Sequence, residues 1–169
     1  PEEINRVLTD HISELLFAPT ENGKINLIKE GIYTNNIHVC GDVMYDAALF
    51  YSDKARKPDW FDALKISKNY YVLCTIHRAE NTDNTERLKS IFAGLARTKH
   101  GVILPLHPRT QKVISVQGLI LLPNVHSVEP VGYLKMIWLE INALKIATDS
   151  GGVQKEAYFH KKACVTLRA

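Results

Sequence analysis

The sequence predicts an α/β protein with a Rossmann-like parallel sheet and flanking helices. From residue 70 to the end, short apolar runs alternate with segments of helical period, an order typical of βα units on a parallel sheet. Turns rich in His, Arg or Gly directly follow three of these runs. Because the carboxyl ends of parallel strands lie at one edge of a sheet, these turns are predicted to meet there around a ligand.

The first part of the chain is predicted to hold two helices and two short strands. Apolar residues recur at helical spacing in "INRVLTDHISELLF", and a strand is predicted around "LFAPT". Thr20 is the expected N-cap of the second helix, which ends at Gly31. "NIHVCG" is predicted as a strand, and Asp42 as the cap of the helix "VMYDAALFY". The polar stretch "SDKARKPDW" (52–60) is the best candidate for a linker.

The second part of the chain carries the regular alternation. Strands are predicted at 70–76, 101–106, 124–128, 144–149 and 163–167. Helices are predicted at 84–99, 108–116, 132–143 and 151–160. Asn84 or Asp83 is expected to cap the first of these helices, and Pro108 to open the second.

Composition argues against several classes of function. The chain has 169 residues, is 46% hydrophobic and 23% charged, and carries a net charge of +3, without a basic stripe that would bind nucleic acid. No apolar run approaches the roughly 20 residues that span a bilayer, and the charged opening "PEEINR" does not resemble a signal peptide. Cys40, Cys74 and Cys164 lack metal or redox spacing and are expected to be buried thiols in a reducing cytoplasm.

The turn "DSGG" (149–152) is a candidate anion site at a helix start. Gly151 and Gly152 have no Cβ, so a phosphate can approach the backbone N–H groups and the positive end of the helix dipole. Ser150 can add a hydroxyl donor. The alternative is a tight βα turn in which Asp149 or Ser150 only caps the helix. Neither a Walker P-loop nor a GxGxxG fingerprint is present.

Glu156 lies four residues beyond Gly152, about one turn further along the same helix face. A carboxylate at that place can accept hydrogen bonds from both hydroxyls of a ribose. The alternative is an ordinary solvated helix glutamate, and the sequence pattern alone favours that alternative.

The turn "HRAEN" offers a proton carrier beside a phosphate ligand. His77 can donate or carry a proton, and Arg78 has the fork geometry that suits a phosphate. The alternative is that His77 and Arg78 are exposed surface residues with no ligand, and that Glu80 and Asn81 bond the backbone of their own turn.

Two further clusters have equally simple structural explanations. His107 and Arg109 flank Pro108 at a helix start, which is either an anion site or a cap beside an exposed arginine. Glu2 and Arg6 form an i,i+4 pair in "PEEINR", which is sufficient to explain a helix N-terminus. No His or Cys pair has the spacing of a metal site.

In order and spacing, "PEEINR", "HRAEN", "HPRT" and "DSGGVQKEA" resemble the signature segments of the non-hydrolysing UDP-N-acetylglucosamine 2-epimerases, over nearly the whole chain. The resemblance implies a glycosyltransferase-B (GT-B)-like fold, with a nucleotide sugar between two Rossmann-like domains. Residues 1–41 would be the last part of the N-terminal domain. Residues 42–169 would be the UDP-binding C-terminal domain without its end. The family's proteins are about twice as long, and this stretch holds only one of the catalytic acids that the resemblance implies. By itself it is therefore expected to bind UDP weakly and catalyse poorly.

The resemblance also assigns roles to the candidate residues. The glycine turn would hold the diphosphate of UDP, Glu156 the uridine ribose, and His107 would contact the nucleotide or help close the cleft. His77 would lie near the sugar, and Glu2 matches one of the family's catalytic acids. The candidate catalytic residues are Glu2 and His77. The candidate substrate-binding residues are Arg78, Glu80, Asn81, His107, Arg109, Asp149, Ser150, Gly151, Gly152 and Glu156.

The implied reaction interconverts UDP-N-acetylglucosamine and UDP-N-acetylmannosamine without metal or cofactor, in a cytoplasmic homodimer that serves polysaccharide synthesis. Many relatives differ at "PRT", so a UDP-diacetamido-uronate 2-epimerase is an alternative. A GT-B glycosyltransferase, a hydrolysing epimerase and a non-catalytic nucleotide-sugar-binding module are the others.

Overall fold

A computed structural model describes residues 2–116 and 118–168, and of Arg109 it describes only the backbone. The chain divides into two units, Pro1–Ala47 and Ala48–Ala169. That the first belongs to an N-terminal domain and the second to a UDP-binding domain stays a prediction. None of the described helices has the length and apolar character needed to span a membrane.

The first unit has a small parallel sheet. Its elements are helix α1 (Glu2–Ile12), strand β1 (Leu16–Ala18), helix α2 (Glu21–Lys29), a 3-10 turn (Thr34–Asn36) and strand β2 (Ile37–Val39). β1 and β2 pair in parallel, with Leu16 opposite Ile37. The predicted cap of α2 is confirmed, because the Thr20 hydroxyl accepts a hydrogen bond from the Gly23 N–H at 3.1 Å. Gly31 has a φ of 93°, the left-handed conformation that commonly follows a helix end.

Helix α3 (Val43–Ser52) contains the division between the units. Its predicted cap is confirmed, since the Asp42 carboxylate accepts the Met44 N–H at 3.0 Å. The prediction of a linker at 52–60 is wrong. The Arg56 N–H donates to the Leu134 carbonyl at 3.0 Å and Pro58 is buried, so this stretch is part of the second unit. Its polar side chains indicated exposure to solvent, which is not the same as separation of domains.

The second unit contains the predicted alternation of strands and helices. Its strands are β3 (Tyr71–Thr75), β4 (Gly101–Pro105), β5 (Val125–Val128), β6 (Lys145–Thr148) and β7 (Ala163–Thr166). Its helices are α4 (Ala79–Thr82), α5 (Thr85–Ala96), α6 (Pro108–Val116), α7 (Tyr133–Ile141) and α8 (Gly151–Phe159), with a 3-10 turn at Phe61–Leu64. The strands and helices predicted for this unit are confirmed. Asn84 is the residue that caps α5. Among the described elements of this unit, the short α4 and the 3-10 turn were not predicted.

The five strands form one parallel sheet in the order β5-β4-β3-β6-β7. β3 lies at the centre, where Leu73 stands opposite Ile103 of β4 and Ile146 of β6. The order reverses between β3 and β6. In open α/β sheets this reversal separates the loops at the carboxyl ends and creates the crevice where ligands bind.

Both faces of the sheet are covered. Val72 and Cys74 of β3 pack with residues of α5 such as Phe92, while Tyr71 and Leu73 pack on the other face against α7. Burial on both faces explains why the inner strands β3 and β4 are mainly apolar runs. The α/β fold with a Rossmann-like parallel sheet is therefore confirmed.

The three cysteines do not share one environment. Cys74 is buried, and burial together with the nearby charge of Asp149 raises the pKa of its thiol. Cys40 and Cys164 are exposed, so the prediction that they are buried is wrong. Both belong to edges of the described sheets, Cys40 just after β2 and Cys164 in β7, where fewer neighbours cover the side chains.

Ile103→Ala is expected to lower the free energy of unfolding by about 2–5 kcal/mol, because Ile103 is fully buried in β4 and its truncation opens a cavity in the core. Urea unfolding followed by tryptophan fluorescence measures the change, since Trp138 is in the same core. Ile120→Ala is the matched control, because Ile120 is 86% exposed and should change stability by less than about 0.5 kcal/mol. Equal losses in the two variants would contradict the assigned core.

Candidate functional site

The polar turns meet where the strand order reverses. His77 follows β3 and Asp149 follows β6, and these two strands are neighbours in register, with Thr75 opposite Thr148. The hydroxyls of the two threonines are hydrogen-bonded to each other. The predicted convergence of the turns "HRAEN" and "DSGG" on one sheet edge is therefore confirmed.

Asp149 joins the two turns. Its side chain is fully buried, and its carboxylate accepts hydrogen bonds from the backbone N–H groups of His77 at 3.1 Å and of Arg78 at 2.9 Å. The Asn81 amide donates to the same oxygen at 2.9 Å. The His77 Nδ1 lies 3.3 Å from the other oxygen. In this arrangement the Asp149 carboxylate stabilises the turn after β3 by accepting its hydrogen bonds. Direct binding of substrate by Asp149 stays a prediction.

Asn81 extends the same network across the sheet edge. It is fully buried, donates to the Leu167 carbonyl at 2.8 Å, and accepts a hydrogen bond from the Arg87 Nε at 2.6 Å. The sequence analysis offered an alternative in which Asn81 bonds only the backbone of its own turn. The observed partners, Leu167 and Arg87, lie outside that turn. The predicted contact of Asn81 with substrate is untested, and its amide is occupied by protein partners.

The turn "HPRT" lies on the other side of β3. The Thr110 hydroxyl, buried at the start of α6, donates to the Ile76 carbonyl and so fixes this turn to the end of β3. The imidazole rings of His107 and His77 lie 5.9 Å apart between centroids. The side chain of Arg109 lies outside the described part of the chain.

The start of α8 is open to a ligand. Ser150 caps the helix by accepting the Val153 N–H at 3.4 Å, so the structural alternative for this serine is confirmed. A hydroxyl that accepts in this way can still donate its own hydrogen to an anion. Gly151 is exposed, and a Cβ added there would lie 3.4 Å from the Arg168 guanidinium, which is ordinary van der Waals contact.

A cavity of about 190 Å³ lies among these turns and is lined by His77, His107 and Ser150, with Pro130 and Val131 on its apolar side. Two imidazoles and a helix N-terminus can together bind an anionic group. Larger cavities of about 730 and 490 Å³ lie elsewhere, and no residue of the three turns lines either of them.

The remaining candidates occupy different surroundings. Arg78 is half-buried at the start of α4, Glu80 is exposed on that helix, and Gly152 is half-buried in α8. Glu2 is exposed at the start of α1 in the first unit. Their proposed contacts with substrate are untested.

Two acidic side chains meet between α7 and α8. Glu140 is fully buried, and Glu156 is half-buried. Burial and the neighbouring Glu156 carboxyl raise the pKa of Glu140 to about 9. Burial also raises the pKa of Glu156, although the nearby Glu140 and Tyr133 side chains oppose that shift. The sequence analysis missed Glu140, although an acid inside the apolar run "MIWLEINAL" was the available signal.

This arrangement, with a helix N-terminus at the reversal of a parallel sheet, is typical of nucleotide-binding α/β domains. A profile of the UDP-N-acetylglucosamine 2-epimerase family matches residues 1–169. A Methanococcus maripaludis protein named as a UDP-N-acetylglucosamine 2-epimerase homolog is 52% identical, over 99% of this chain and 48% of that protein. The Pseudomonas aeruginosa UDP-2,3-diacetamido-2,3-dideoxy-D-glucuronate 2-epimerase is 47% identical, over 99% and 47%.

A solved structure gives the same result. The Methanocaldococcus jannaschii UDP-GlcNAc 2-epimerase in complex with UDP-GlcNAc and UDP superposes with a TM-score of 0.85 at 46% identity, over 99% of this chain and 49% of that one. The chain belongs to the UDP-N-acetylglucosamine 2-epimerase family, and the GT-B-like fold expected from the resemblance is confirmed. It spans about half the length of the curated relatives it matches.

Asp149→Ala is expected to lower the free energy of unfolding by about 3 kcal/mol, because it leaves the N–H groups of His77 and Arg78 and the buried Asn81 amide without their shared acceptor. Asp149→Asn keeps one acceptor oxygen, so its loss should be about half as large. Urea unfolding measures both changes, with the exposed Asp53→Ala as the control at less than about 0.5 kcal/mol. A loss for Asp149→Ala as small as that of the control would contradict the supporting role of this carboxylate.

Glu140 should also make stability depend on pH. The folded protein holds the Glu140 proton up to about pH 9, whereas an unfolded glutamate releases it near pH 4.3. Between these values the folded state binds more protons, so the free energy of unfolding falls as pH rises. Glu140→Gln removes this dependence. Its stability relative to the wild type should therefore rise from pH 5 to pH 8.5, by at most about 1.4 kcal/mol per pH unit.

Chemical denaturation at several pH values measures this difference, and Glu86→Gln is the matched control because its side chain is 83% exposed. A constant difference between Glu140→Gln and wild type across this range would show that Glu140 ionises normally in the folded protein.

Proposed function

We propose that the protein interconverts UDP-N-acetylglucosamine and UDP-N-acetylmannosamine by inverting C2 of the sugar. The observation that carries the proposal is the cavity at the strand-order reversal, where His77 and His107 face the N-terminus of α8. Membership of the family supports the same activity. The M. jannaschii relative whose structure holds UDP-GlcNAc and UDP supports the choice of ligand.

The diphosphate of UDP is assigned to the start of α8. Ser150, Gly151 and Gly152 offer a hydroxyl and backbone N–H groups there, and the helix dipole stabilises negative charge. Because these backbone N–H groups and the helix dipole favour negative charge, a departing UDP can stay bound while its charge increases. The uridine ribose is assigned to Glu156, one turn further along α8. The proposed substrate-binding set is completed by Arg78, Glu80, Asn81, His107, Arg109 and Asp149.

The chemistry follows from the position of the C2 proton. That proton is not adjacent to a carbonyl, so simple enolisation is not available. In the first half-reaction a base removes the C2 proton, the C–H electron pair forms the C1=C2 double bond, and UDP leaves C1 with the electrons of the C1–O bond. In the second half-reaction UDP adds back to C1 while C2 receives a proton on the opposite face. The atoms balance without an oxidant or a metal.

His77 is the residue in the second unit that we assign to proton or charge transfer. Its Nδ1 is directed to the Asp149 carboxylate, which favours a proton on that nitrogen and leaves Nε2 for the ligand. An imidazole held in this way can stabilise the leaving diphosphate or transfer a proton. Glu2 is proposed as a catalytic acid on the family resemblance alone.

A second substrate is favoured by a specific relative. The P. aeruginosa protein at 47% identity is named for a UDP-diacetamido-glucuronate, which has the same C2 and the same leaving group. The alternative proposal is therefore the same epimerisation on that uronate. A cytoplasmic location is proposed because free thiols without disulfides suit a reducing compartment. Homodimerisation is proposed by family resemblance, and sedimentation measures it.

Incubation with each UDP-sugar in heavy water, followed by proton NMR of C2, tests the proposal. Deuterium should enter C2 while the sugar stays linked to UDP, and the faster substrate identifies the subtype. His77→Asn should slow this exchange roughly 100-fold or more, the lower end for loss of an acid–base group. His38→Asn, an exposed histidine of the first unit, should leave it within about twofold.

Other outcomes separate the alternatives. Release of free sugar identifies a hydrolysing epimerase, and transfer of the sugar to an acceptor without C2 exchange identifies a glycosyltransferase. Binding of UDP by calorimetry with no exchange for either sugar would identify a non-catalytic binding module and overturn the proposed activity.

A further inference from the structure

A row of titratable side chains lies along the contact between α7 and α8. Tyr133 and Glu140 are seven residues apart on α7, two turns along one face, and Glu156 and His160 are four residues apart at the end of α8. The Glu156 carboxyl is near enough to both α7 side chains to help raise their pKa values, and the His160 Nε2 lies 3.7 Å from Glu140 Oε2. Glu156 therefore has a phenol and a second carboxyl group as neighbours.

Glu140 receives no hydrogen bond from the described residues that surround it. It is fully buried, and no described donor meets hydrogen-bond geometry at either of its oxygens. An ionised Glu140 would be a buried carboxylate without a donor, directly beside Glu156. Such a group is strongly destabilising, and it binds a proton instead. With one proton between them, the two carboxyl groups can form a hydrogen bond that two carboxylates cannot.

The neighbouring groups do not supply the missing charge. Burial, and then the positive charge of Lys162, lowers the pKa of His160, which favours the neutral imidazole. The Tyr71 hydroxyl, whose pKa is raised mainly by burial, donates to the Leu139 carbonyl at 2.7 Å. The pKa of Tyr133 is raised by burial and by the two acids, so its phenol stays neutral as well. The pair of acids therefore has to share its own proton.

We propose that Glu140 is a positioning residue, which stays in the acid form and donates a hydrogen bond to Glu156 so that Glu156 can accept both ribose hydroxyls of a UDP-sugar. This inference rests on the proposed function, which places the ribose at Glu156. A carboxylate that accepts two hydroxyls must hold one orientation. A hydrogen bond from the Glu140 acid fixes that orientation.

The experiment compares UDP with 2′,3′-dideoxy-UDP, which lacks both ribose hydroxyls, by titration calorimetry at pH 7. Glu140→Met removes the donor but keeps a buried side chain of similar length, whereas Glu140→Gln keeps a neutral donor. The matched control is Glu86→Met on α5, whose side chain is 83% exposed. Thermal unfolding of each variant confirms that it is folded at the temperature used.

The inference predicts a pattern specific to the ribose. Glu140→Met should weaken UDP binding roughly tenfold, because it removes a hydrogen bond to a charged group. Glu140→Gln and Glu86→Met should stay within about threefold of the wild type. For dideoxy-UDP, whose contact with Glu156 is already absent, all four proteins should bind equally. A purely structural role of Glu140 would weaken both ligands alike.

Either of two binding results would overturn the inference. If the wild type prefers UDP to dideoxy-UDP and Glu140→Met keeps the whole preference, Glu140 does not position Glu156, although the proposed function stands. If the wild type binds neither ligand, the proposed function fails and the inference with it. A third measurement does not depend on any ligand. The side-chain carboxyl carbon of Glu140 in 13C-glutamate-labelled protein, assigned by its loss in Glu140→Gln, should titrate well above pH 7, and titration near pH 4.3 would overturn the inference.

Discussion

The buried carboxylate of Asp149 is the interaction on which the candidate site depends. It joins the turns after β3 and β6 by accepting the N–H groups of His77 and Arg78, and it orients the His77 ring through Nδ1. Because the acceptor is fully buried, losing it would leave these donors unsatisfied. The two turns are therefore held together by hydrogen bonds that form as the sheet folds.

The order of the strands explains why the Asp149 contact affects all three turns of the candidate site. β3 is the central strand, with β6 on one side and β4 on the other, so the turn after β3 touches both neighbouring turns. Asp149 holds it from one side, and the Thr110 hydroxyl holds Ile76 from the other. Such a turn suits the catalytic role proposed for His77, since strands support it on both sides.

Local features of the fold were predictable, and long-range choices were not. The strands of the second unit and the caps at Thr20, Asp42 and Asn84 follow from periodicity and from bonds within a few residues. The meeting of the polar turns followed from the parallel sheet alone. The partners of Asn81 could not be predicted, because they lie up to 86 residues away. The burial of Glu140 depends in the same way on how α7 and α8 pack.

The end of β7 shows a further consequence of this network. The Leu167 carbonyl accepts from Asn81, and the Arg168 Nε donates to the Asp149 carbonyl at 3.2 Å, although β7 itself is an exposed edge strand. Edge strands are the part of a sheet that frays most readily. Here fraying would break bonds inside the ligand site. Thermal opening at the edge strand and loss of order in the candidate site are thus one cooperative event, and a ligand that stabilises the turns also protects the edge.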